Sequence, residues 1–92
     1  RKGRIKSLYN LREGFAEIIE AEVSDNSSIL NAEISELELP SEIVVAAIIR
    51  DDQVIIPEPN HTIKAEDRII ILADANHIPE VEKMFSVQVD LF

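Results

Sequence analysis

Cysteine and tryptophan are absent from these 92 residues, and glycine occurs only twice. Without cysteine, disulfides, iron–sulfur clusters and thiolate zinc sites are excluded. Gly3 and Gly14 stand alone, so neither kind of glycine-rich phosphate loop can be built. His61 and His77 are the only histidines and fall in no metal-ligand spacing. His61 reads as a solvent-exposed loop residue and His77 as a first-turn helix residue. No serine sits in a nucleophile-elbow pattern. No apolar run approaches the roughly 18 residues of a membrane span, and the first residues lack the apolar core of a signal peptide. No catalytic residue and no metal site emerges, so an enzyme is not expected.

Acidic residues are missing from the first part of the chain, and cations are few in the rest. Residues 1–12 hold Arg1, Lys2, Arg4, Lys6 and Arg12 and no acid. The remaining 80 carry the other four cations against all 18 acids, a net of −14. Such a body repels phosphates and anionic lipid, so neither nucleic acid nor direct membrane insertion is expected of it. The basic start reads as a solvated linker. With Tyr9 as its only aromatic residue, it makes no platform for stacked bases. Beginning at Arg1, the chain is expected to be a fragment of something longer. Its 46% hydrophobic and 29% charged residues mark a folded chain rather than a disordered one.

What is present is β-branched and apolar. Ile43 to Ile49 is unbroken, Arg50–Gln53 forms a polar turn, and Val54–Ile56 resumes before Pro57. Arg68 to Ala73 is a second long apolar strand. Side chains alternate along a strand, so these runs are apolar on both faces. Phe15–Val23 is one-faced instead, with Phe15, Ile19, Ala21 and Val23 together and Ile18, Glu20 and Glu22 opposite. Ile5–Leu11 is a short extended segment. Asn31 can cap a helix over about 32–37, and Asn76 another that carries Ile78, Val81, Met84 and Phe85 on one face. The tail 86–92 alternates and could add an edge strand.

The pattern predicts an α+β domain: a small mixed or antiparallel sheet with short helices on one side. Two short helices leave apolar strand surface uncovered, which predicts a homodimer. Its interface would hold Val45, Ala46, Ala47, Ile48, Ile49, Val54, Ile55 and Ile56. Glu17, Glu20 and Glu22 could gather a hard cation, but read better as a solvated outer face. Arg50, at the rim of the apolar run, could pair with Asp51 or Asp52, or could grip an anion with its planar fork beside Pro57.

The order AEIIEAEV, SSILNAEISELELP, VVAAIIRDDQVIIP, TIKAEDRIIIL, IPEVEKMF resembles the TrkA C-terminal (RCK_C) domain family from about Phe15 onward. The ending IPEVEKMF and its short tail are similar to the last domain of Trk potassium-uptake subunits. The resemblance implies a linker over 1–12 from a preceding Rossmann domain and the C-terminal domain over 13–92. It implies a cytoplasmic regulatory subunit, peripheral to the inner face of the membrane, that dimerises and gates the potassium channel subunit of a Trk system. NAD or ATP would belong to the Rossmann domain, with no cofactor in this one. The alternative it implies is a ligand sensor taking an anionic regulator such as a cyclic dinucleotide at the dimer interface, at Ile48, Ile49, Arg50 and Pro57. This sequence has Glu66 where the family often has glycine, and Asp51-Asp52 where Asp-Gly is more usual.

Overall fold

A computed structural model describes residues 5–85. Five strands form one sheet: β1 (Ile5–Leu11), β2 (Ala16–Glu22), β3 (Ile43–Arg50), β4 (Gln53–Ile55) and β5 (Arg68–Asp74). Their spatial order is β1-β2-β5-β3-β4, and every neighbouring pair is antiparallel. One α-helix, α1 (Ile78–Met84), follows β5, and short 3₁₀ turns lie at Arg12–Gly14, Ile34–Leu37 and Ala75–His77. The α+β class and the small sheet are as the alternation predicts. Ile5–Leu11, placed above in a linker, is hydrogen-bonded to β2 as an edge strand. The tail expected to form a further strand lies outside the described residues.

Pairing sorts the side chains onto two faces. Ile19, Ala21, Ile69, Ile71, Ala73, Ile43 and Ile48 meet on one of them, where Ile29, Ile63, Ile78, Val81 and Phe85 close over them as the core. Ile19, Ile48, Ile63, Ile69, Ile71 and Val81 are fully buried. The opposite face carries Tyr9, Ile18, Ile70, Leu72, Val44, Ala47, Ile49 and Val54, together with the charged Lys6, Glu20, Glu22 and Arg68. A β-bulge between Val45 and Ala47 shifts the alternation by one residue, so Val45 and Ile48 share the core face across it.

Two sequence expectations about helix starts are corrected. Asn31 is not an N-cap, since its φ is +67° and its N–H bonds the carbonyl of Ile63 at 2.8 Å. The turn at Ile34–Leu37 is instead started by Glu33 and Glu36 in a reciprocal capping box. Asn76 likewise lies inside a 3₁₀ turn, and Asp74 caps it by accepting from the His77 N–H at 3.1 Å. Pro79 fits the first turn of α1, where a missing N–H costs no bond.

Scarce glycine has a visible consequence. Asp51 and Asp52 form the two-residue β3–β4 turn with φ of +51° and +63°, and Glu66 has φ +72° ahead of β5. A primed hairpin turn needs positive φ at both central residues, which suits glycine at the second. Side chains bearing a Cβ are strained there by about 1–2 kcal/mol. Asp52→Gly and Glu66→Gly are each expected to raise stability by about 0.5–1 kcal/mol, glycine's greater freedom when unfolded offsetting part of the gain. Urea unfolding checks this through a higher midpoint at unchanged slope.

Candidate functional site

Arg50 ends β3 on the core side of the sheet, beyond Ile48, where the hairpin overhangs the segment 57–67. Its partner is neither Asp51 nor Asp52, as the sequence suggested, but Asp67, 17 residues onward. Nε donates to Oδ1 at 2.8 Å and Nη2 to Oδ2 at 2.8 Å, a bidentate fork, and Nη2 also donates to the Thr62 carbonyl at 2.9 Å. Asp67 is 1% exposed, and its Oδ2 accepts in addition from the Lys64 N–H at 2.9 Å. The hydrogen bond to Asp67 raises the Arg50 pKa above its already high ordinary value, against the opposing effect of burial. Backbone bonds from Val23 N to Asp67 O and from Glu66 N to Val23 O, both 2.8 Å, tie the same corner to the end of β2.

The fork leaves Nη1 and its two N–H groups without a hydrogen bond among the described residues, in a side chain 32% exposed. Nη1 belongs to a guanidinium that cannot turn without stranding a buried carboxylate. Beside it is a cleft of about 390 Å³ lined by Ile49, Arg50, Asp51, Asp52, Lys64, Ala65, Glu66, Asp67 and Arg68. Once Arg50 and Asp67 neutralise each other, Lys64 and Arg68 face three carboxylates.

The other half of the site is the open sheet face. Val44 is 48% exposed, Val54 66%, and Ile56, next to Pro57, 71%. This face is apolar from Tyr9 across Ile18, Leu72 and Val44, and the hairpin residues Ile49 and Val54 continue it. Lys6 and Glu20, paired at 3.4 Å, lie on the same face beside Ile70, and Glu22 and Arg68 lie on it beside Ile49, so its β1–β2 side is charged. Of the residues expected at an interface, Ala47, Ile49 and Val54 lie on this face, and Ala46 is the exposed bulge residue. Val45, Ile48 and Ile55 point to the core instead. Of the expected ligand residues, Ile49, Arg50 and Pro57 keep exposed surface, whereas Ile48 has none. Sequence reasoning missed Asp67 and Thr62, which no local spacing links to Arg50. It also missed Val44 and Leu72, whose side follows only from the register. Glu17 faces away from Glu20 and Glu22, and no carboxylate or histidine group among the described residues could hold a metal.

The family model for the TrkA-C domain matches residues 18–86, so this chain belongs to the TrkA-C domain family. It is 40% identical over 89 residues to the Trk system potassium uptake protein TrkA of Haemophilus influenzae, covering 92% of this chain and 19% of that protein. The chain spans about a fifth of the length of the curated relatives it matches. The RCK_C domain dimer of S. agalactiae BusR in complex with c-di-AMP is similar at TM-score 0.64 and 25% identity, over 74% of this chain and 93% of that one. S. agalactiae BusR in complex with its busAB-promotor DNA matches at TM-score 0.67 and 22% identity, over 92% of this chain and 42% of that one.

Two expectations are overturned by these likenesses. That this kind of domain holds no cofactor of its own fails against the BusR domain dimer, which carries c-di-AMP. Missing glycine loops and metal spacings speak only to sites built within one chain, and a site between two copies leaves no such motif. The exclusion of nucleic acid from the partners fails as well, because a protein containing this fold is found on promoter DNA. The net charge of one domain does not decide what the other 58% of a chain contacts.

Losing Arg50 leaves Asp67 buried and unpaired, so Arg50→Ala is expected to cost about 3 kcal/mol in chemical denaturation. Asp51→Asn, which removes the nearest local acid, is expected to change stability by less than about 0.5 kcal/mol.

Proposed function

We propose that this domain is a regulatory module that pairs with a second copy through its open sheet face and senses a cyclic dinucleotide or a similar anionic regulator at that pairing. The observation that carries the reading is the apolar face itself. Its apolar part runs without a covering element from Leu72 and Val44 to Ile49 and Val54, and Ile49 lines the same cleft as the Arg50 guanidinium, which a buried carboxylate fixes on the core side. An apolar face of this extent marks an association site, and a two-fold pairing places two copies of the Arg50 corner in one assembly. Ile49 and Pro57 would supply apolar walls and Nη1 of Arg50 a preorganised donor to phosphate oxygen. Ile48 would support this wall from the core. The BusR domain dimer with c-di-AMP lends support from a protein 25% identical.

We infer further that the domain works in the cytoplasm as part of a potassium-uptake subunit, at the membrane's inner face, where its pairing contributes to gating a channel. The 40% identity to a Trk system potassium uptake protein supports this setting. In the full-length parent, Val44→Glu is expected to slow potassium uptake by cells, and unchanged uptake refutes the gating role.

Light scattering on the 92-residue chain is expected to read twice the 10.4 kDa of one copy, and Val44→Glu to return it to one. Calorimetric titration with c-di-AMP is expected to give heat with the dimer and none with the Val44→Glu monomer. A wild-type monomer sinks the pairing and the sensor together. A dimer that gives no heat with c-di-AMP or any other cyclic dinucleotide sinks the sensor alone.

A further inference from the structure

His77 stands at the corner where the end of β5 and the start of α1 meet the residue leading into β3. Asp74, the last residue of β5, accepts from the His77 backbone N–H at 3.1 Å, and its Oδ1 lies 2.5 Å from ring Nδ1. Ring Nε2 points across to Glu42, with Oε1 3.8 Å away. Glu42 is also joined to Asp74 through the backbone, by a long bond of 3.3 Å from the Asp74 N–H to the Glu42 carbonyl. The charged groups acting on the ring are Asp74 from β5, Glu42 from the segment before β3 and Glu80 from α1, all acidic. The 3₁₀ turn that bears His77 adds only Ala75 and Asn76.

The two ring nitrogens behave differently. A neutral imidazole carries one proton, and placing it on Nδ1 preserves the bond to Asp74. A proton on Nε2 then exists only in the imidazolium. The contact with Glu42, the one joining two elements distant in sequence, is therefore the one that depends on protonation. We propose that His77 is a proton-operated clasp that fastens the start of α1 to the start of β3 when charged and releases it when neutral. Val44, two residues beyond Glu42, lies on the open face, so the clasp sits at the root of the strand that crosses that face. It does not depend on any ligand binding there.

The sign follows from linkage. The hydrogen bond to Asp74, then the Asp74, Glu42 and Glu80 charges, raise the His77 pKa above its ordinary value. A raised folded-state value means the stabilisation is full below about 6.5 and is lost as pH climbs through the folded value. The clasp therefore opens in the window above about 6.5, so acidification closes it.

The test is a ring-proton NMR titration of the 92-residue chain, with amide-exchange protection at Ile43 and Val44 measured across the same range. The His77 midpoint is expected above about 6.5, and lower in Glu42→Gln and in Asp74→Asn. Protection at Ile43 and Val44 is expected to fall several-fold as the ring loses its proton, and to lose this response in Glu42→Gln. Glu42 is 45% exposed in its side chain, so that variant should fold. A midpoint at or below about 6.5 overturns the clasp. So does an exchange response that survives in Glu42→Gln.

Discussion

A carboxylate with 1% of its surface in water has to be answered from within the protein, and the answer to Asp67 organises one end of this domain. Arg50 supplies two parallel donors and the Lys64 N–H a third, while the second hydrogen of Nη2 holds the Thr62 carbonyl. The same group thus fixes the end of β3, the long connection after β4 and the start of β5. A buried pair of this kind is weak evidence for net stability, since desolvation offsets much of the attraction. Its effect is on geometry. Any other placement of the hairpin over this connection strands a charge, so the register of β3 against β5 is specified at its far end.

The rest of the architecture follows from a sheet with more apolar surface than the chain can cover. Segment 24–42, Ile63 and α1 close one face with isoleucine, leucine, valine, Met84 and Phe85, and nothing in residues 5–85 lies over the other. In the function proposed above, a second copy covers that face. The Arg50 corner stands at the end of the sheet, in a cleft that Ile49 of this face also lines. Arginine's rigidity there comes from Asp67, and its remaining N–H groups are what a phosphate oxygen would meet. Asp51, Asp52 and Glu66 hold the local field negative, so an anionic ligand would depend on shape and on fixed donors more than on charge attraction.

At the opposite end of the sheet the electrostatics run the other way. There a single histidine answers three carboxylates, and its ring is exposed enough to exchange protons with water. One end is locked by a bidentate fork onto a buried carboxylate. The other is held by a histidine, whose pKa its acidic neighbours raise.

Local sequence determined the elements. Unbroken β-branched runs gave β3 and β5, alternation gave β2, and apolar spacing of three and four gave α1, because each depends on neighbours within a few residues. The excess of apolar strand surface, and the family resemblance, were legible in the same way. Tertiary structure alone decided which side chains form the open face. The bulge after Val45 reverses the alternation that a reading of VVAAIIR assumes, and only pairing with β5 reveals it. It also decided that Arg50 serves Asp67 rather than Asp51 or Asp52, and that His77 bridges to Glu42. Those partners lie 17 and 35 residues away in sequence, and burial is what selects among acids that look alike in one dimension.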